Sequence, residues 1–248
     1  QTLRYRGVQG AGGSALRGER TRQEVRFCRA SDGAGLAYAV TGSGRSLVKT
    51  ANWMGHLELD WQNPVWTHWL TALSEGRCFV RYDERGNGLS DWNASFSFEA
   101  FVDDFASVVD AAGLERFDVI GISQGAAVAI AYAAAHPERV RRMVLFGGFA
   151  GGWAAHASAA DKSRQEAMLT LTAQGWGEEN PAFRQMFTSL LVPEASTEEQ
   201  EAFNEMQRLA TSPENAAAIQ RVNYAIDVRN LLQKIAVPTL VAHSRGDT

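Results

Sequence analysis

The sequence predicts an α/β fold in which helices cover both faces of a mostly parallel central sheet. Short apolar runs alternate with stretches of helical periodicity over residues 46–146, the pattern of successive strand–helix–strand units. A further strand, over 236–243, follows a long segment, 148–230, that contains helical stretches and no convincing strand. This second segment is therefore predicted to be a helical insertion between two strands of one sheet.

Composition limits the classes of function. A chain of 248 residues, 45% hydrophobic and 21% charged, is long enough for one domain with a full central sheet. Its net charge of −4 argues against a nucleic-acid-binding protein, because phosphate neutralisation requires a clustered excess of Lys and Arg. No spacing of His, Cys and Asp is typical of metal ligands, so we expect no metal and no cofactor.

The expected location is the cytoplasm. The two cysteines have no framework spacing, which favours reduced thiols in a reducing compartment. No apolar run approaches the length of a membrane span, and no basic-then-apolar signal segment opens the chain. We therefore expect no membrane partner.

The N-terminal part is predicted to hold a leader followed by four strands. Residues 1–22 are rich in Gly and Arg without periodicity, which indicates a flexible leader. Alternating or apolar runs predict strands over Glu24–Arg29, Leu36–Val40, Ser46–Thr50 and Arg77–Tyr82. The first two of these flank a Gly- and Asp-containing turn at 31–35 and are expected to form a hairpin.

Local signals also predict where helices begin and end. Asn63-Pro64 indicates a helix start, with Asn as the cap and Pro in the first turn. Ser97 precedes an amphipathic helix. The remaining core elements are predicted as a strand over 117–122, a helix over 124–135 and a strand over 139–146. Helical stretches in the insertion are predicted over 157–174, 181–191, 197–210 and 213–222.

The stretch 117–127 carries the clearest sign of chemistry. An apolar strand ends in G-x-S-x-G, and small residues follow at helical length. Gly121 and Gly125 allow the strand and helix backbones to pass close together, so the turn exposes the hydroxyl of Ser123. The backbone N–H of Gln124 then lies at a helix N-terminus, beside any oxyanion that forms. We predict Ser123 as a nucleophile; the alternative is a turn serine that caps the next helix.

Four features together resemble the α/β-hydrolase superfamily, in its esterase-like and haloperoxidase-like branch. They are the serine turn, the D-x-R-G-x-G-x-S loop at 83–90, the helical insertion, and Val-Pro-Thr-Leu at 237–240 followed by Asp247. The tryptophan-rich stretch 52–66 is also similar to hydrolase-like modules fused to bacterial regulatory proteins. The resemblance implies a hydrolase core, 23–147 and 231–248, and a helical cap or lid, 148–230, over the carboxyl ends of the strands.

The resemblance also implies catalytic roles. Ser123 matches the nucleophile, and Asp247 matches the acid that holds a histidine in the right tautomer. The backbone N–H groups of Gln124 and Trp53 match the oxyanion hole. The family order of Ser, acid and His places the expected base, with a further strand and helix, after Thr248.

One departure from the family pattern and several pocket residues complete the predicted site. Ala51-Asn52 stands where the family commonly has His-Gly, and a glycine there often provides a special backbone angle. His56, Trp153 and Trp176 are expected to line the substrate pocket. Apolar cap residues either extend that pocket or hold the cap on the sheet: Met168, Phe183, Met186 and Phe187.

Two other polar groups are expected to be structural. Asp83 and Arg85 are predicted to tie loops together near the site. The pair Asp103-Asp104 is predicted to lie on a solvated helix face.

Together these features predict a serine hydrolase of the carboxylesterase type, which cleaves small esters through an acyl-enzyme on Ser123. The alternative is a catalytically impaired hydrolase-like module that senses a ligand within a larger regulatory protein. The expected partners are a small-molecule ester and a second copy of the chain, paired through an exposed sheet edge beside strand 236–243.

Overall fold

The computed structural model describes residues 23–152 and 158–245. The strands of this part are β1 (Gln23–Arg29), β2 (Gly35–Thr41), β3 (Arg45–Lys49), β4 (Arg77–Tyr82), β5 (Phe117–Ile122), β6 (Val140–Phe146) and β7 (Thr239–Ala242). Its α-helices are α1 (Pro64–Ser74), α2 (Phe98–Ala111), α3 (Gly125–Ala135), α4 (Ala159–Gly175), α5 (Ala182–Leu191), α6 (Thr197–Ala210) and α7 (Pro213–Ala225). None of these helices combines the length and the apolar character that a membrane span requires. The predicted leader, Trp153 and Asp247 lie outside the described residues.

All of these strands lie in one sheet, in the order β1-β2-β4-β3-β5-β6-β7. β1 and β2 form the expected hairpin, and β2 pairs with β4 in antiparallel fashion. The pairs from β4 through β3, β5 and β6 to β7 are parallel, which confirms a mostly parallel sheet. Because the carboxyl ends of parallel strands meet at one edge, the loops after β3, β4 and β5 lie together.

The predicted helix starts are confirmed by their caps. The side-chain oxygen of Asn63 accepts a hydrogen bond from the Val65 N–H at 2.9 Å, and Pro64 opens α1. The Ser97 hydroxyl accepts from the Ala100 N–H at 3.1 Å at the start of α2. Each cap satisfies a first-turn N–H that has no partner inside its helix.

Helix α3 lies in the centre of the core. It is apolar on all sides and most of its residues are buried, as expected for a helix enclosed by other elements. Tyr132 of α3 meets Phe105 of α2 edge to face, with ring centroids 4.8 Å apart. The same aromatic cluster includes Phe117 at the start of β5. This packing fixes α3, and therefore the turn that precedes it, against the sheet.

The prediction for Asp104 was wrong. Its side chain is fully buried, and its two oxygens accept hydrogen bonds from Arg85 Nη2 at 2.6 Å and Nε at 2.8 Å. Arg85 also reaches Asp32, at 2.6 Å. Burying a carboxylate requires a partner of this kind, and the polarity of one helix does not reveal a cation supplied by another loop. The loop-tying role expected of Arg85 is confirmed.

Four helices, α4–α7, lie between β6 and β7 in the chain. The segments that enter and leave them run side by side, since the Gly152 N–H donates to the Ile226 carbonyl at 2.6 Å and the Val228 N–H to the Ala150 carbonyl at 2.7 Å. Where α6 ends, the Ala210 carbonyl accepts from the Gly88 N–H at 2.7 Å. These helices are thereby held against the loop at the carboxyl end of β4. The exact limits of the core and cap stay a prediction.

Within the described residues, β7 is the last strand of the sheet on its side. Leu240 is 61% exposed and Val241 is 60% exposed. The other described residues therefore leave both faces of this strand partly uncovered. Pairing of two chains through this edge stays a prediction, which light scattering over a concentration series tests.

Candidate active site

Ser123 occupies the sharp turn between β5 and α3. Its φ is 54°, in the left-handed region, and it is exposed although Ile122 and Gln124 on either side are buried. The Ser123 N–H donates to the Phe146 carbonyl at 3.1 Å, and its own carbonyl accepts from the Ala126 N–H at 3.0 Å. A non-glycine residue in this conformation costs about 1–3 kcal/mol and persists only where its surroundings determine it. The turn therefore presents a hydroxyl to solvent at the edge where the strand ends.

The two glycines of the turn are required by close backbone contacts. A Cβ on Gly121 would lie 2.6 Å from the Ala126 Cα. A Cβ on Gly125 would lie 2.5 Å from both the Ala51 carbonyl oxygen and Thr50 Oγ1. Thr50 Oγ1 also donates to the Gly125 carbonyl at 2.9 Å. The loop after β3 is thus held directly against the first residue of α3.

That loop, residues 51–56, is called the oxyanion loop below. The indole of Trp53 stacks on Trp176 with centroids 5.3 Å apart and meets the edge of Phe187 at 5.7 Å. Met54, the next residue, has a φ of 68° and is buried in the same cluster. The unusual backbone angle therefore falls at Met54, and not at the Ala51-Asn52 pair that replaces His-Gly. Large side chains from α5 and from the end of α4 hold this loop in place.

The two residues predicted to form the oxyanion hole are in direct contact. The Trp53 N–H donates a hydrogen bond to the side-chain oxygen of Gln124, Oε1, at 2.9 Å. Gln124 Nε2 in turn donates to Glu84 Oε1 at 3.1 Å. The sequence predicted a role in the site for the backbone N–H of Gln124. It did not predict one for the Gln124 side chain or for Glu84. No local signal reports these contacts, because they join residues 71 and 40 positions apart.

Two ionisable groups, Lys49 and Glu84, are buried beneath the oxyanion loop. Burial lowers the pKa of Lys49 to about 8, and burial raises the pKa of Glu84 to about 8 against the opposing hydrogen bond from Gln124. The Lys49 ammonium donates to Asn52 Oδ1 and lies 5.6 Å from the ring centroid of Trp66. Within residues 23–152 and 158–245, no group of three or more His, Cys, Asp and Glu is arranged to hold a metal ion.

The predicted pocket residues have structural contacts of their own. His56 Nδ1 accepts from the Glu58 N–H at 3.2 Å and from the Leu59 N–H at 3.4 Å, so this nitrogen carries no proton here. Burial also lowers the pKa of His56. Trp176 is fully buried, and its Nε1 donates to the Gln207 carbonyl at 3.0 Å. Trp176 therefore supports Trp53 from within the packed cluster.

One open groove in the described part of the chain lies away from Ser123. A cavity of ≈ 520 Å³ runs between the start of α2 and α7, with Phe96, Glu99 and Arg221 among its lining residues. None of the described residues predicted for the site lines it. The groove and Ser123 are therefore separate features.

The chain was compared with known proteins. Residues 55–248 match the family model of the alpha/beta hydrolase fold. A pyrrolizixenacetamide deacetylase of Xenorhabdus hominickii is 34% identical over 117 residues, which are 47% of this chain and 42% of the deacetylase. A putative carbamate hydrolase, RutD, of Azorhizobium caulinodans is 28% identical over 221 residues, with 86% of this chain and 78% of that protein covered. The chain thus aligns with less than half of the deacetylase.

The fold is also similar to solved structures. A hydrolase from Pseudomonas aeruginosa PA01 superposes with a TM-score of 0.70 at 25% identity, covering 88% of this chain and 78% of that one. An esterase from Exiguobacterium antarcticum superposes with a TM-score of 0.73 over 87% and 79% of the two chains. Its identity is 23%, so this second likeness concerns the fold alone.

Proposed function

This chain belongs to the α/β-hydrolase family, and we propose that it is a serine hydrolase of the carboxylesterase type that cleaves small esters through an acyl-enzyme on Ser123. The proposal rests on Ser123, which is exposed and has a left-handed backbone conformation. Serines that merely cap helices in this chain look different: Ser97 and Ser196 have φ of −151° and −61°, and each accepts the third N–H of its helix. The N-cap position of α3 belongs to Gln124.

In the proposed reaction, Ser123 Oγ attacks the ester carbonyl carbon while its proton passes to a histidine that Asp247 orients. The negative charge that develops on the carbonyl oxygen is stabilised by the backbone N–H groups of Gln124 and Trp53. The first of these also benefits from the positive end of the α3 dipole. The histidine then donates this proton to the departing alcohol oxygen, which leaves an acyl group on Ser123, and water hydrolyses this acyl-enzyme to a carboxylic acid.

The names of the relatives widen the set of substrates to compare. One is named as a deacetylase and one as a putative carbamate hydrolase. Amides, carbamates and esters all present a carbonyl carbon to the same nucleophile. An ester, an anilide and a carbamate of the same p-nitrophenyl-type chromophore therefore rank these classes by kcat/KM, and we expect the ester to react fastest.

Labelling with a fluorophosphonate tests the nucleophile directly. The full chain should gain the mass of one phosphonyl group at Ser123, and Ser123→Ala should abolish both this label and ester hydrolysis. Ser189→Ala is the matched control, because Ser189 is an exposed serine on an ordinary helix and its removal should leave labelling unchanged. Labelling that persists in Ser123→Ala would show that another residue is the nucleophile.

One observation favours the second candidate, a catalytically impaired hydrolase-like ligand sensor within a larger regulatory protein. The Trp53 N–H already has an acceptor, so only one of the two proposed oxyanion donors is open in this arrangement. A folded chain that neither reacts with the fluorophosphonate nor hydrolyses esters would support the sensor over the esterase.

A further inference from the structure

The side chain of Gln124 imitates a substrate at the oxyanion hole. Its Oε1 is a carboxamide oxygen and lies 2.9 Å from the Trp53 nitrogen. Donors of an oxyanion hole lie about 2.7–3.1 Å from the oxygen that they stabilise. The Gln124 oxygen therefore takes the hydrogen bond that the Trp53 N–H would donate to a substrate carbonyl, and both acceptors cannot use this N–H fully at once.

Of the two partners, the Trp53 backbone is the fixed one. Its indole stacks on Trp176 and meets Phe187 edge to face, and its carbonyl accepts from Asn52 Nδ2 at 3.3 Å. Asn52 is itself held by the Lys49 ammonium. The loop therefore keeps the Trp53 N–H in place.

The Gln124 side chain is the partner that can move. Its amide nitrogen is held by one hydrogen bond, to Glu84 Oε1 at 3.1 Å. Burial raises the pKa of Glu84 to about 8, so the carboxyl is mostly protonated at neutral pH and the bond is neutral rather than charge-assisted. In the part of the chain that the structure describes, the second oxygen of Glu84 is buried without a partner. Gln124 is buried, and rotation about its own side-chain torsions would release the Trp53 N–H without moving the α3 backbone.

We propose that the Gln124 side chain is an internal competitor of the substrate carbonyl, and that it determines how readily an ester enters the oxyanion hole. The exchange breaks the bond from the Trp53 N–H to Gln124 Oε1 and forms one from the same N–H to the substrate. The proposal rests on the proposed function. Because binding requires the open state, the apparent KM is the intrinsic value divided by the open fraction.

Gln124→Met tests the competitor. Methionine has a similar length and keeps the backbone N–H, but it offers Trp53 no strong acceptor. We expect KM for a p-nitrophenyl ester to fall about fivefold, the ratio set by one ordinary net hydrogen bond, and kcat to stay within about twofold. Fluorophosphonate labelling of Ser123 should accelerate by a similar factor.

Two further variants serve as controls. Gln124→Glu keeps a side-chain acceptor for the Trp53 N–H, and a stronger one where it is ionised, so KM should not fall as it does in Gln124→Met. Gln220→Met removes another buried glutamine amide, which bonds to Thr172 and Tyr224 in the cap helices, and should change neither KM nor labelling.

The outcomes separate this inference from the proposed function. An unchanged or higher KM in Gln124→Met, with Ser123 still labelled, overturns the competitor and leaves the esterase standing. A lower kcat at constant KM also overturns it, because Gln124 would then position the hole. Absence of labelling in both the wild type and the variant overturns the function, and the competitor with it.

A measurement on the wild type covers the case in which Gln124→Met does not fold. When Ser123 carries the phosphonyl group, its oxygen takes the Trp53 N–H, so the side-chain amide signals of Gln124 should shift in the ¹⁵N NMR spectrum. Unshifted Gln124 signals in the labelled protein would overturn the inference.

Discussion

The two sides of the candidate active site are held in place by opposite means. On the nucleophile side, Gly121 and Gly125 let backbones touch, and an added Cβ would collide at 2.5–2.6 Å. On the oxyanion side, Trp53 is held by the large rings of Trp176 and Phe187. The first side is sensitive to added atoms, whereas the second is sensitive to removed ones.

This difference shows which parts of the molecule each predicted catalytic group depends on. Ser123 depends on a turn within a few residues of itself and on the neighbouring β3 loop. The Trp53 N–H depends on helices contributed by residues more than a hundred positions away. The helices between β6 and β7 therefore help to fix the position of the Trp53 N–H, which is predicted to be an oxyanion donor.

Trp176→Ala should have the largest effect, because it removes the ring that supports the oxyanion side. Truncating a fully buried tryptophan lowers the free energy of unfolding by about 3–5 kcal/mol. The variant also leaves the Gln207 carbonyl without its donor. Urea denaturation measures the change. Trp92→Ala is the matched control, since Trp92 is 41% exposed and should cost less than about 1 kcal/mol. Equal losses in the two variants would contradict the support assigned to Trp176.

Gly125→Ala should have a smaller effect and tests the nucleophile side. Its Cβ would lie 2.5 Å from the Ala51 carbonyl oxygen, so the backbones must separate at a cost of about 1–3 kcal/mol in unfolding free energy. Gly55→Ala is the control on the oxyanion side. A Cβ there would make an ordinary contact, 3.5 Å from the Asn52 carbonyl oxygen, and should change stability by less than about 0.5 kcal/mol. A stable Gly125→Ala protein would show that the turn does not need this close approach.

The nucleophile side could be predicted from the sequence because its signals are local. G-x-S-x-G between a strand and a small-residue helix indicates the backbone of Ser123, and the caps at Asn63 and Ser97 mark helix starts within one turn. The parallel sheet followed from the alternation of apolar runs with helical stretches. The family match confirms this fold class.

The oxyanion side could not be predicted in the same way. That the Gln124 side chain bonds to Trp53 depends on two loops brought together by the sheet, and no spacing along the chain records it. Asp104 was misjudged for a similar reason, since its partner Arg85 lies in a separate loop. Trp176 was recognised as apolar, but a sequence does not tell whether an aromatic residue lines open space or fills a core.

Glu84 lies where the two sides meet, and the effect of replacing it should depend on pH. Burial raises the pKa of Glu84 to about 8, whereas the pKa of a glutamate in an unfolded chain is about 4.3. The folded state therefore binds more protons between these values, and its stability should fall as the pH rises through this window. Glu84→Gln keeps an acceptor for Gln124 Nε2 but cannot ionise.

The stability of Glu84→Gln relative to the wild type should accordingly increase with pH, by at most about 1.4 kcal/mol per pH unit. Lys49, Arg85 and Asp104 contribute to the field at Glu84, but they are present in both proteins, so their own titrations largely cancel in the difference. Urea denaturation of both proteins at several values between about pH 5 and 8 measures it. A constant difference across that range would mean that Glu84 is already ionised in the folded protein. The hydrogen bond from Gln124 to Glu84 would then be charge-assisted. The Gln124 side chain would therefore leave the Trp53 N–H less readily than it does with a neutral Glu84.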